Sequence, residues 1–436
     1  MAGQLPNPTR NQWGIPLPRR AVTDTFASFH IRNYRLFATG QLVSNTGAWV
    51  QRIAQDWLVL TLTGSATAVG LTTALQFLPT LLLGMCGGAI ADRYAKRTVL
   101  LLTNTGMGLL AAALAALTLT GRVLPWHVYL IAFVLGIVTA IDNPTRQAFV
   151  NEMVGPAQLR NAISLNASIF QLGALVGPAV SGYLINAVGA GYSFAINAVS
   201  YLAAIVALVR IDDRLLVRTG APATAAVRLF DGIRLAWSQP AIRWPIVLVG
   251  VFGMFSINLP VTLAAYARSE FHSGPGGYGL LTSAVALGSV LGALASARRA
   301  RTRLRALAGI GGTACAALVL AASAGAEWGY LLTLVAVGAS TLLFLTSANS
   351  TVQLAAGDEV RGRVMGLYLL VFIGSGSVGG PLLGAIDQHL GPRVGMLLAG
   401  LVPGVAMLLV AFGLSRSGRL RLRLQRVTPL IAVIPR

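Results

Sequence analysis

Twelve blocks of about 20 apolar residues, separated by short polar or basic connections, run from residue 37 to residue 414. At 1.5 Å of rise per residue, a helix of that length crosses a hydrocarbon core of ~30 Å. Lipid offers backbone N–H and C=O groups no partner, so an open sheet is excluded and helices are required. The blocks lie at 37–60, 68–91, 98–120, 127–147, 162–185, 192–210, 244–266, 278–297, 306–324, 329–348, 364–386 and 394–414, and are numbered spans 1–12 in that order. Only 11% of the residues are charged, against 55% apolar. Soluble domains carry roughly 25% charge, so a water-soluble fold is excluded as well.

Six spans fall in each of two related halves. The stretch GAIADRYAKRT from Gly88 to Thr98 returns as GALASARRART from Gly292 to Thr302, NPTRQ from Asn143 to Gln147 returns as NSTVQ from Asn349 to Gln353, and Gly177-Pro178 returns as Gly380-Pro381. One register held over half the chain is a duplication, with a unit of about 200 residues that is far longer than solenoid or propeller modules. Many secondary transporters are built from such repeats, with the substrate site where they meet.

A net charge of +20 raises the possibility of a nucleic-acid partner, and the placement of the charge argues against it. With both termini in the cytoplasm, all but four of the 33 Lys and Arg lie in the termini and the even-to-odd connections. Arg122, Arg268 and Arg393 fall on the other side and Arg52 lies within span 1, the asymmetry expected of an inner-membrane protein under the positive-inside rule. The basic stretch from Arg416 to Arg426 then reads as a topology anchor that can touch anionic lipid. Residues 1–35 have no cleavable signal pattern and form a cytoplasmic segment. The expected organisation continues with a six-helix bundle over 36–210, a cytoplasmic linker over 211–243, a second bundle over 244–415 and the tail 416–436. The linker stretch Val227 to Trp237 is apolar on one side and basic on the other, as in a helix lying on the inner leaflet.

Enzyme chemistry finds no footing. A phosphate-cradling loop needs a lysine after its glycines, and the lone lysine, Lys96, sits between Ala95 and Arg97. The Gly374-x-Gly376-x-x-Gly379 pattern matches a dinucleotide fingerprint in letters alone, because it lies inside span 11 and not between a strand and a helix. Its glycines belong to a small-residue stripe, Gly376, Gly380 and Gly384, that mirrors Gly173, Gly177 and Ser181 and lets membrane helices approach closely. The adjoining Pro178 and Pro381 remove a helix donor and permit bending. Cys86 and Cys315 sit in spans of different halves, and the histidines stand near span ends with no metal-ligand spacing. No cofactor, metal or nucleophile is expected, so transport is driven by a gradient or a partner.

These motifs resemble the major facilitator superfamily over roughly residues 30–415. Gly88-x-x-x-Asp92-Arg93-x-x-Lys96-Arg97 is similar to that superfamily's signature between spans 2 and 3, with Ala95 where a glycine is usual. Gly173-x-x-x-Gly177-Pro178-x-x-x-Gly182 resembles the antiporter motif of span 5, with Ser181-Gly182 in place of a closing glycine pair. Asn33 to Phe37, Gln41, Gln51 to Trp57 and Asp142 to Gln147 look more narrowly like the branch of enterobactin exporters and macrolide efflux proteins. The resemblance implies twelve transmembrane helices in two pseudo-symmetric six-helix bundles, a central cavity, alternation between inward- and outward-open states and exchange with protons. It also implies a latch at Asp92, which would accept hydrogen bonds from a helix N-terminus of the other bundle.

Gln41, Asn45, Arg52 and Asp56 fall within about 60° of one another on a helical wheel, a polar stripe that must avoid lipid and face a cavity or another helix. Arg52 and Asp56, four residues apart, form either a permanent ion pair or a proton-carrying acid with a releasable arginine. Gly88, Asp92, Arg93, Lys96 and Arg97 are expected at a cytoplasmic gate, joined by Asp142 and Arg146 in one charge network. Gln76, Asn166, Gln171 and Asn258 either line the cavity or bond a neighbouring helix. Trp126 and Trp328 precede spans 4 and 10 at the opposite surface, where aromatic belts form.

The expected protein is a monomeric secondary transporter that exports a small amphipathic organic molecule in exchange for protons, with membrane lipids around it and no nucleic-acid partner. An importer, a lipid or lysolipid translocator, a receptor and a membrane-embedded lipid enzyme are the alternatives; the same fold serves both directions of transport.

Overall fold

The structure, a computed structural model, describes residues 26–217, 234, 237–297, 304–414, 421–424 and 431–434. It is a helical membrane protein of twelve crossings in two six-helix bundles. Among the described residues, ten helices are long and apolar enough to cross a membrane. One of them, Pro125–Val188, carries spans 4 and 5, and a single helix, Glu327–Leu390, carries spans 10 and 11 as the apolar stretches Glu327–Ala356 and Val364–Leu390. Span 1, Arg32–Thr63, is longer than most and falls outside the ten because its polar stripe dilutes it. Such a helix is tolerable only where protein or water surrounds its polar side.

Local chemistry sets the ends. Gly155 takes a positive φ of 64° inside Pro125–Val188, and Pro156 after it offers no N–H, so the helix breaks there and span 5 turns back. Spans 1, 5 and 11 stop at Gly64, Gly189 and Gly391, all with positive φ. Span 7, expected as one block, ends at Ser256, restarts at Leu259–Ala265 and finishes in a π turn, Tyr266–Glu270. Asn258 occupies the break, and Pro260 behind it removes a donor from the ladder.

Leucines and aromatics left exposed around the outside, among them Leu82, Leu102, Leu109, Tyr183, Leu332 and Leu408, are the lipid-facing surface. Inside each half, glycine lets the second and fourth spans touch backbone to backbone. A Cβ on Gly87 would strike the Ala140 carbonyl in the first half, and one on Gly292 would strike the Ala339 carbonyl in the second.

The hydrogen bonds between the halves gather at one end. Among the described residues, four hydrogen bonds cross between them: Ala66 N to Gln388 Oε1 at 2.8 Å, Tyr278 Oη to Asp56 Oδ2 at 2.9 Å, Ser283 Oγ to the Leu175 carbonyl at 3.2 Å, and the Arg268 guanidinium to the Leu60 carbonyl. All lie in the halves of the spans remote from residue 32, where Gly70 also abuts the Gly380 carbonyl and Gly182 abuts Gly279. Toward the other end, Gly84 and Gly88 on span 2 have nothing within 4 Å of where a Cβ would stand. The bundles are thus sealed at one end and splayed at the other.

Beyond span 12, Arg421–Leu424 pairs antiparallel with Ile431–Ile434, strands that the basic composition of the tail does not announce. Most of the expected interfacial helix, Val227 to Trp237, lies outside the described residues.

Candidate substrate cavity

Between the bundles, opening toward the splayed end, lie two adjoining hollows of about 360 and 250 Å³. The larger is walled almost wholly by the first half: Gln41, Asn45, Arg52, Gln76, Asn104, Thr139, Asn143 and Arg146 supply polar atoms, and Ile373 alone comes from the second half. The smaller is apolar and shared, with Trp49, Phe77 and Phe170 facing Ile257, Leu259, Pro260, Leu263 and Val285. Gln171 lies on its rim, and Asn166 lines a side pocket while accepting a hydrogen bond from Tyr34 Oη at 3.1 Å.

Asp142 and Arg146 stand one turn apart on span 4 and form one buried network. Asp142, fully buried, accepts from Thr103 Oγ1 at 2.7 Å and Asn104 Nδ2 at 3.4 Å through one oxygen, and from the Arg146 guanidinium through the other. Arg146 reaches on to Gln41 Oε1 at 3.1 Å, which ties span 1 to span 4 across the cavity floor. The acid is covered by its donors while the arginine faces the hollow, so this pair presents no net charge to a ligand.

Arg52 behaves otherwise. It lines both hollows, its guanidinium lies 5.5 Å from the Trp49 ring centre and 5.6 Å from that of Phe77, and no ion pair or hydrogen bond reaches it among the described residues. The Arg52–Asp56 ion pair allowed by their spacing is absent. Asp56 is buried at 5% exposure and takes its hydrogen bond from Tyr278 across the seam, with Trp57 stacked on the same tyrosine ring. Asp56 therefore lies outside the cavity. Gln41, Asn45 and Arg52 line the cavity, whereas Asp56, one turn further along the same face, lies at the depth where the seam has closed and Tyr278 is its neighbour.

Two further expectations need correction on geometry. Asp92 is exposed and has no hydrogen bond or ion pair among the described residues, so the latch to the other bundle is not made and Asp92 stays apart from the Asp142–Arg146 network. The physical reason is the splay of the bundles at that end. Lys96 binds Glu152 at 2.7 Å, and Arg97 binds Asp213 and the Leu208 and Val209 carbonyls that end span 6, all within the first half, while Arg93 lies over Tyr94. Asn258 lines neither hollow: fully buried, it donates to the Met254 carbonyl and lies against Gly379 and Gly380, where it mends the break in span 7.

The small-residue stripes divide their contacts. Gly173 and Gly177 pack on Asn45 and Trp49 of span 1, and Ser181 donates to the Val50 carbonyl, whereas the Pro178 carbonyl and Gly182 meet span 8. In the second half Gly376 approaches Ile257 of span 7, and Gly380 and Gly384 meet Gly70 and Ala66 of span 2, with Pro381 beside the Gly70 contact.

One residue escapes the sequence reading. Asp387, at 4% exposure near the sealed end of span 11, accepts from Thr262 Oγ1 at 2.8 Å, and its other oxygen has no donor among the described residues. A lone acid at the end of an apolar block was the available signal. The block ending at 386 passed it by.

A family model described as transmembrane secretion effector matches residues 23–425. The multidrug efflux pump Tap of Mycolicibacterium fortuitum is 27% identical over 395 residues, covering 84% of this chain and 93% of Tap. The enterobactin exporter EntS of Shigella boydii serotype 18 is 26% identical over 379 residues, 83% of this chain and 84% of EntS. A staphyloferrin A transporter of Staphylococcus aureus is 30% identical over 172 residues, which span 39% of this chain and 43% of that protein. Among solved structures, an inward-facing, unoccupied bacterial homolog of the human lysosomal transporter Spinster superposes with a TM-score of 0.69 at 16% identity, covering 88% of this chain and 97% of the other. At that identity the likeness shows the fold.

Proposed function

The chain belongs to the transmembrane secretion effectors of the major facilitator superfamily, a family of transporters and not of enzymes, and from that premise we propose that it exports a small amphipathic organic molecule in exchange for protons. The observation that carries the reading is the pairing of a ligand-sized hollow with cross-bundle hydrogen bonds gathered at one end among the described residues, an arrangement that a rocking motion can reverse. The basic connections support a reading with the splayed end and both termini in the cytoplasm of the inner membrane, and in that reading this is the inward-open state. The efflux pump and the siderophore exporter among its relatives support the outward direction.

Asp56 is the proton carrier in this reading. Its carboxyl group is buried at the seam and held by a hydroxyl of the other bundle, so the rocking motion must break or make that bond. Bundle position and proton occupancy are thereby linked. Asp92, unpaired here, closes against the second bundle in the outward-open state, and Asp142 with Arg146 holds spans 1, 3 and 4 together below the hollow. One copy suffices, since both walls of the hollow come from a single chain.

The test is transport in proteoliposomes with a pH gradient imposed in each orientation, followed by efflux of dye and drug panels. Asp56→Asn abolishes pH-driven movement and leaves ligand binding measurable. Full pH-driven transport by Asp56→Asn removes the residue from the mechanism, and transport indifferent to a pH gradient of either sign removes the proton.

A further inference from the structure

We propose that Arg52, with Trp49, Phe77 and Phe170 around it, is an anion receptor, and that the transported class is an amphipathic organic anion: an acid group on an aromatic or extended apolar body. The inference deepens the export reading above and rests on it for the word transported, while the binding site stands on the geometry.

The charge count of the wall is decisive. Among the described residues, two guanidiniums line the hollows and no carboxylate does. Arg146 is cancelled by Asp142, whose oxygens are both occupied. Arg52 makes no ion pair or hydrogen bond at the wall among the described residues: Asp56, an acid close enough to feel its charge, takes its hydrogen bond from Tyr278 across the seam. Contacts with two aromatic faces at a partly exposed site fall well short of what a desolvated cation loses when a closing site excludes water. Those contacts are made by the rings alone, and no hydrogen bond among the described residues occupies the guanidinium's fork of N–H donors, which can take a carboxylate, sulfonate or phosphate in bidentate fashion.

Placement supplies the rest of the description. Arg52 lines both hollows and marks their junction. A ligand whose acid group sits on Arg52 lays polar substituents among Gln41, Asn45 and Gln76, and its apolar body against Ile257, Pro260 and Leu263. Trp49 and Phe170, 5.6 Å apart and edge to face, wall the junction with rings that favour a flat ligand. The rival role for Arg52, permanent partner of Asp56, has the spacing and lacks the contact.

Purified full-length protein in detergent, titrated with 1-pyrenebutyrate, 1-pyrenebutanol and 1-pyrenebutylammonium, decides the matter, because the three probes share a body and differ in charge. Energy transfer from tryptophan to pyrene reports binding. The anion is expected to bind about tenfold tighter than the alcohol, the worth of one hydrogen-bonded charge contact, with the ammonium weakest. Arg52→Gln erases the preference while the affinity for the alcohol stays within about twofold; Arg52→Lys, which keeps the charge and loses the fork, retains part of it. Asp56→Asn keeps the preference whole. Equal binding of the three probes by the unaltered protein, tighter binding of the ammonium, no binding of the anion, or a preference that survives Arg52→Gln each overturns the proposal. If Arg52→Gln does not fold, the unaltered protein and Arg52→Lys decide it. Anion preference in a protein that moves nothing in proteoliposomes would sink the export reading and spare the receptor; efflux by a protein without that preference would do the reverse.

Discussion

Asp142 and Arg146 of the first half correspond, in the register of the repeat, to Ala348 and Val352 of the second, and all but Arg146 are fully buried. One copy holds a charged network at this place and the other a pair of small apolar side chains. The contrast extends over the cavity, whose polar atoms come mainly from the first half while the second half contributes a mostly apolar wall. The scaffold uses one device in both halves at shifted positions, since Gly87 meets Ala140 in the first bundle and Gly292, the repeat counterpart of Gly88, meets Ala339 in the second. Each bundle has a close backbone approach between its second and fourth spans while the linings differ, because a close backbone contact tolerates only glycine while a wall residue is constrained by its ligand.

The acids show a second contrast. Asp56 is capped by Tyr278 of the other bundle and Asp387 by Thr262 of its own. A hydroxyl bond inside one bundle travels with it, whereas a bond across the seam is made in one state and broken in the other.

The largest stability effect is expected at the charged network. Arg146→Val strands Asp142 in a dry site and should cost about 2 kcal/mol after allowing for the third of the arginine that water reaches, seen as a lowered unfolding midpoint in detergent. Asp142→Ala combined with Arg146→Val, which installs the residues of the second half, should cost less than the two changes summed; strict additivity would mean that the two side chains do not act as a pair. Next comes the seam. Tyr278→Phe removes a bond worth about 1.5 kcal/mol or more, a shift of about tenfold toward opening of the sealed end. The alkylation rate of Val69→Cys, beside the Gly70–Gly380 contact, reports it in a chain also carrying Cys86→Ser and Cys315→Ala. Thr262→Val should cost about 1 kcal/mol of stability and leave that rate unchanged, and an equal rise in rate would erase the distinction between the two acids. The last pair compares the repeated motif itself, and the smallest effect of all is its second member. Gly292→Ala drives a Cβ into the Ala339 carbonyl and should cost about 1–3 kcal/mol, while Gly88→Ala meets open space and should stay within about 0.5 kcal/mol.

Much of this architecture was legible in the residues. Spans 4 and 5 were separable because the stretch between 147 and 162 interrupts the apolar blocks, and the two-bundle plan followed from the repeat. The break in span 7 was not read, although Pro260 marked it, because the apolar block runs through Asn258 without a change in hydropathy. Asp387 passed unnoticed at the edge of its block. The Asp92 latch was implied by resemblance and is not made in this conformation, since an ion or hydrogen-bond partner on another bundle depends on which end of the molecule is closed.

The sequence by itself determined the number of crossings, the bundle repeat and the residues that must avoid lipid, because each follows from local hydropathy and from backbone groups that have to be satisfied within their own helix. Only the tertiary structure decided how the polar stripe of span 1 is shared out, with Gln41, Asn45 and Arg52 going to the cavity and Asp56 to a tyrosine 222 residues away. No wheel drawn on one helix contains that division, because it depends on which neighbour stands at each depth.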